Sequence, residues 1–295
     1  MKQKKYRPTT KYFLPHSAPW PIVGSFALFF LATGIAGFVH NNCVWPYLLF
    51  TGAVLFAVML FGWFSSVINE GMQGLHSKKM DRSYRWGMFW FIASEVAFFG
   101  IFFGALLYTR VFSVPTLGGD WGYPETHQLL WPNFHATWPL LQNPNTTQFP
   151  GPKEAMGAWG IAAINTLILL SSAVAVTWAH WGLLKNRRWQ LLSGVILTIV
   201  LGLIFLGLQA HEYLTAYLDY HLTLNSGIYG TTFFMLTGFH GLHVTIGLTM
   251  LIVILVRCLK GHFLPEHHFG FEAVSWYWHF VDVVWLFLFL FVYWL

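Results

Sequence analysis

Charge is what this chain has least of. Of its 295 residues only 9% are Asp, Glu, Lys or Arg, where soluble domains carry about 25%. That shortage excludes a water-soluble globular domain. Cysteine is also scarce: Cys43 and Cys258 are the only two. They fall at predicted opposite membrane faces, so neither a disulfide framework nor a cysteine metal site is expected. Neither a phosphate-cradling P-loop nor a dinucleotide-binding glycine fingerprint is present. No internal repeat or Gly/Pro-broken helix pair of the kind found in many secondary transporters is evident. The alternation of a β-barrel is missing as well.

What fills the space is apolar: 56% hydrophobic and 19% aromatic residues. Seven apolar stretches are each long enough to cross a bilayer: Ile22–Val39, Trp45–Val67, Trp86–Tyr108, Met156–Trp181, Leu191–Tyr213, Tyr229–Val256 and Phe271–Leu295. About 20 residues at 1.5 Å each span the hydrocarbon core. Backbone in hydrocarbon must satisfy its own hydrogen bonds, so every stretch is expected to be helical. The fold class is an all-α polytopic membrane protein with seven transmembrane helices.

Lys and Arg orient it. Fourteen of the 16 lie in the N-terminal tail, the second-to-third, fourth-to-fifth and sixth-to-seventh connections; only Arg110 and Lys153 lie on the other side. The positive-inside rule places the N-terminus inside and the C-terminus outside. The net charge of +5 therefore reports topology, and no nucleic acid is expected as a partner. The expected divisions are a cytoplasmic tail (1–21), spans one and two (22–67), an inner loop (68–85), span three (86–112), a long outer loop (113–155) and spans four to seven (156–295). The basic tail runs into an apolar stretch too long for a signal-peptide core, so no cleavable signal is expected. Asn145-Thr-Thr fits a glycosylation acceptor by pattern, though no sugar is expected on it.

Span three poses the main question. It carries Glu95 about ten residues inside the membrane, where a bare carboxylate costs roughly 2.5 kcal/mol or more. A partner or a proton is required. At 100° per residue Ala93, Ala97, Gly100 and Gly104 form a small-residue stripe suited to close helix contact. Glu95 lies opposite with Phe91, Phe98 and Phe102, and that face is expected to meet a cleft, a water file or another subunit.

Other spans carry polar residues too. His180 ends span four, and Gln209 and Glu212 share a face of span five. His240 and His243 lie on span six near Thr237 and Gly247, and Glu272, His279 and Asp282 lie along span seven with Trp276. Facing stripes should exchange hydrogen bonds and form an intramembrane polar network, each bond worth roughly 0.6–2 kcal/mol. A di-iron bundle needs Glu-x-x-His on two helices; none occurs, so no metal is expected. At the inner edge Glu70, His76, Lys78, Lys79 and Arg257 are placed to meet anionic lipid head groups, the lysines chiefly as snorkelling topology markers.

Four of these spans resemble a known family. His267-His-Phe-Gly-Phe-Glu-Ala273 followed by Trp276-Tyr-Trp-His-Phe-Val-Asp-Val-Val-Trp285 is similar to the closing helix of cytochrome c oxidase subunit III. Thr237-Gly-Phe-His-Gly-Leu-His243 resembles its sixth helix, Ser94-Glu-Val-Ala-Phe-Phe99 its third and Val176-Thr-Trp-Ala-His180 its fourth. The resemblance implies helices one and two splayed from a bundle of helices three to seven, with phospholipid between. It implies an auxiliary subunit of a haem–copper oxidase without a catalytic centre, in which haem A and copper reside in partner subunits. Subunit I would be the direct partner, with subunit II and cytochrome c in the complex. Support of proton uptake and of subunit I stability is implied. Head-group positions carry over to Glu70, His76, His243 and Arg257, and the buried functional acid to Glu95. The outer loop 113–155 exceeds the short connection of mitochondrial members, which points to a bacterial cytoplasmic membrane rather than a mitochondrial inner membrane. The sequence Gly-Leu-His76-Ser also departs from the family's usual polar-His-Thr. Rival readings are the corresponding quinol oxidase subunit and an independent proton-coupled transporter.

Overall fold

The computed structural model describes residues 18–122 and 124–295; up to residue 17, the N-terminal tail expected at the membrane surface lies outside them. Among the described residues seven helices are long and apolar enough to cross a membrane: α1 (Trp20–Val39), α2 (Trp45–Met72), α3 (Lys78–Tyr108), α6 (Ile161–Leu184), α7 (Arg188–Leu218), α8 (Ile228–Leu259) and α9 (Phe269–Leu288). Two short helices, α4 (Val114–Leu117) and α5 (Pro124–Leu130), lie in the long connection between α3 and α6. No strand occurs among the described residues; one bridge, Leu264 to His267, closes the α8–α9 turn.

Most of these helices outrun the apolar stretches that predict them, because polar residues extend them into the interface. α3 starts at Lys78 rather than Trp86: the Ser77 hydroxyl accepts from the Met80 amide at 3.3 Å and caps the new end. Asp81 then pairs with Arg85 one turn on. α2 likewise runs on to Met72, which puts Glu70 in its last turn.

The described residues form two compact units, divided between Trp86 and Gly87. In the first, α1 and α2 pack as an antiparallel hairpin. A Cβ on Gly34 or Gly52 would lie within 2.9 Å of the partner helix's backbone, so glycine permits this crossing. The Trp20 indole donates to Ser66 Oγ at 3.2 Å.

In the second unit α6, α7, α8 and α9 pack pairwise into a ring. Trp278 of α9 is fully buried at its centre, where it fits because Gly202 and Gly247 present no side chain against its ring. Its indole donates to Ser172 Oγ at 2.9 Å, and the Trp285 indole donates to Thr166 Oγ1 at 2.9 Å. The α3–α6 connection is stitched onto this ring. The Asn143 amide donates to the carbonyls of Phe149 and Ser226 at 2.9 and 3.0 Å, and the Met156 amide donates to the Tyr229 hydroxyl at 3.0 Å.

α3 meets the ring with the face opposite to the one its small residues suggest. Nothing lies within 4 Å of a Cβ built on Gly100 or Gly104, and Ala97 is exposed. Phe98 and Phe102 instead pack on Phe239, Phe99 on Phe280, and Phe103 on Phe287 and Phe291. Aromatic rings bury far more area than glycine and bridge a wider gap, so the phenylalanine face wins the contact. That face carries Glu95.

Candidate functional site: a carboxyl–imidazole pair within the membrane

Glu95 therefore finds its partner inside its own chain. His243 of α8 presents Nε2 to Glu95 Oε2 at 2.8 Å. The side chains are 10% exposed for His243 and 22% for Glu95. The other ring nitrogen, Nδ1, lies 2.6 Å from the Phe239 carbonyl one turn back. A carbonyl only accepts, so Nδ1 carries a hydrogen. A proton must then also lie between Nε2 and Oε2: either imidazolium faces carboxylate, or imidazole faces carboxylic acid. Both forms have no net charge, which is how a membrane tolerates the pair. Phe99 sits edge-on to the imidazole at 5.0 Å, and Tyr277 stacks parallel to it at 6.4 Å.

The remaining polar residues form separate pairs rather than the single network expected from the sequence. The His240 Nε2 donates to the Val281 carbonyl at 3.1 Å, wedged between Phe205 and Trp285. Thr177 gives its hydroxyl hydrogen to Ala173, so His279 Nε2 donates to Thr177 Oγ1 at 3.3 Å. Glu212, only 2% exposed, accepts from the Tyr293 hydroxyl at 3.0 Å. Tyr293 turns inward because α9 ends in a π-helical segment, Phe289–Trp294. The Gln209 amide lies next to Glu212 and Tyr293. His180 touches His268 edge-on at 5.2 Å, beside Phe271 and near Glu272. Asp282 is buried, and its Oδ1 has no hydrogen-bond partner among the described residues. The sequence did not reveal Thr177, Tyr293 and the Val281 carbonyl as partners, since hydroxyls and backbone carry no distinctive spacing.

These histidines do not converge on a common centre. Among the described residues no three His, Cys, Asp or Glu side chains are placed to share a metal ion.

In the turn between α2 and α3, Glu70 and His76 approach to 3.7 Å, and His76 lies edge-on to Tyr84. Separately, the Arg257 guanidinium sits 4.3 Å over the Phe263 ring and packs on Gly270; its Nε is buried without a hydrogen-bond partner among the described residues. His243, expected beside a head group, instead has both ring nitrogens engaged within the protein.

Comparison with known proteins decides the family. The sequence profile of cytochrome c oxidase subunit III matches residues 10–142 and 126–295, nearly the whole chain. The chain belongs to the cytochrome c oxidase subunit III family. It is 41% identical to cytochrome c oxidase subunit 3 of Pongo abelii and of Scyliorhinus canicula over 284 residues, 96% of either chain. The horse protein, from Equus caballus, is 40% identical over 287 residues, 97% of each. Within this subunit III family member, Glu95 and His243 hold one proton between two membrane helices.

Proposed function

We propose that this chain is the auxiliary subunit III of a cytochrome c oxidase, the complex that reduces oxygen with electrons from cytochrome c and couples this to proton translocation. It has no catalytic centre of its own. Haem A and copper belong to the partner subunits, with subunit I in direct contact and subunit II and cytochrome c elsewhere in the complex. The membrane is the bacterial cytoplasmic membrane, on the strength of the long outer loop. The observation that carries this reading is the Glu95–His243 pair, a proton held at 2.8 Å between two helices with part of the carboxyl still exposed. A group of this kind can exchange protons and so support proton uptake by the complex; the same contact fastens α3 to α8.

Structural phospholipid is the second element of the proposal. Glu70 with His76 forms one head-group position and Arg257 another, since an arginine with an unused buried N–H suits a phosphate. His243, with both ring nitrogens engaged within the protein, takes no part in either position.

The test is purification of the complex through a tag on this chain, followed by a reduced-minus-oxidised haem spectrum. Haem A bands should co-purify and leave when the chain is dissociated. A stable, haem-free single polypeptide would overturn the proposal in favour of an independent transporter.

A further inference from the structure

His180 and His268 meet at one end of the helix ring. His180 stands in the last turn of α6, and His268 is the residue before α9. His268 is held by the helix it starts: its carbonyl accepts from the amides of Phe271 and Glu272 at 2.8 and 3.1 Å, and the bridge from Leu264 to His267 fixes the connection behind it. The His180 ring packs on Phe271, with ring centres 5.5 Å apart. The two imidazole centres lie 5.2 Å apart, their planes inclined by 61°. His180 Nε2 and His268 Nδ1 are both buried, and neither has a hydrogen-bond partner among the described residues. His279, the next histidine along α9, is already bonded to Thr177.

A ring nitrogen cut off from water and left without a partner is costly, and here two occur side by side. A direct bond between the rings would relieve both, but none is made. A shared cation would also relieve both. A zinc-class ion sits about 2.0–2.1 Å from an imidazole nitrogen, hence roughly 3.2 Å from the ring centre, and two rings on one tetrahedral ion have centres about 5 Å apart. The observed separation of 5.2 Å fits that spacing. Imidazole suits zinc, copper and nickel, whereas magnesium and calcium take oxygen ligands. Glu272, in the first turn of α9, brings its carboxyl near His180 and supplies a counter-charge. We infer that His180 and His268 form a two-histidine site for a divalent transition cation of the zinc class, bridging the end of α6 to the start of α9. No third His, Cys, Asp or Glu completes the set among the described residues. Water therefore fills the remaining positions, and the ion binds reversibly rather than as in a closed four-ligand site. Bound there, it braces two helices of the ring against each other.

The test uses the intact complex, treated with a chelator, dialysed against Zn²⁺ alone and analysed for zinc per copy of this chain by elemental mass spectrometry. Wild type is expected to hold one zinc ion more than His180→Gln, and one more than His268→Gln. The double variant should lose no more than either single variant, because both side chains serve the same ion. Zinc should also raise the melting temperature of the wild-type complex and leave that of the variants unmoved. Equal zinc counts in all samples overturn the inference. So does a loss in the double variant that is the sum of the single losses, which would mean two independent surface ions. Should the variants fail to assemble, zinc anomalous scattering from crystals of the wild-type complex decides. A peak between the two rings is expected, and its absence overturns the inference. Haem iron, counted in the same samples, reports separately on the oxidase reading.

Discussion

Glu95 and His243, 148 positions apart in the chain, share a contact of 2.8 Å in which one proton must sit. Their coupling should be measurable. Glu95→Gln keeps a hydrogen bond to Nε2 but replaces the exchangeable proton. His243→Phe leaves Glu95 without its partner, at a cost of about 1–3 kcal/mol. Because the two residues touch, the double variant should deviate from additivity by about 0.5–3 kcal/mol. Thermal unfolding of the purified complex measures all four corners, and strict additivity would mean that the contact contributes nothing.

The tryptophan cradle is tightly packed. A methyl on Gly247 would come within 3.0 Å of the Trp278 ring, so Gly247→Ala should cost about 1–3 kcal/mol through overpacking. Gly104→Ala, built into open space, should change the melting temperature little. Equal effects of the two would show that Trp278 is not the constraint.

Tyr293 supplies the hydrogen bond to a carboxyl that is 2% exposed. Tyr293→Phe leaves that oxygen unsatisfied and should destabilise by about 1–3 kcal/mol. Tyr47→Phe, where the parent residue is 75% exposed, is the matched control and should be neutral. Heating both variants side by side measures the difference.

How far these contacts could be foreseen varies with their chemistry. Seven spans follow from hydropathy because no folded alternative exists for such segments in lipid. Their ends do not, since Lys78 to Arg85 are too polar for an apolar window yet continue α3 under the Ser77 cap. Glu95 is visible as an anomaly, but its partner is not: periodicity shows which residues share a face, not which face wins the contact. The glycine stripe is the one the sequence assigns to the helix contact, yet the phenylalanine stripe makes it, because its rings bury more area. Tyr293 was invisible because an ideal helix would aim it elsewhere; the π-helical segment turns it toward Glu212.

His262, in the α8–α9 connection, offers a pH test. Partial burial, then the positive charges of Arg257 and Lys260, hold its pKa below the ordinary 6.5. The folded state thus disfavours the protonated form. Stability from this residue is unaffected above pH 6.5 and falls as pH drops below it, where the unfolded chain binds the proton first. His262→Gln should flatten the melting temperature between about pH 5 and 7. An unchanged slope would contradict the shift.

The central claim is that this chain supports an oxidase through the proton held by Glu95 and His243. The direct measurement is the number of turnovers completed before inactivation, for wild-type and Glu95→Gln complexes matched in haem content and subunit composition. The account predicts a shorter working life for Glu95→Gln with the initial spectrum unchanged. Identical lifetimes in fully assembled complexes would contradict it.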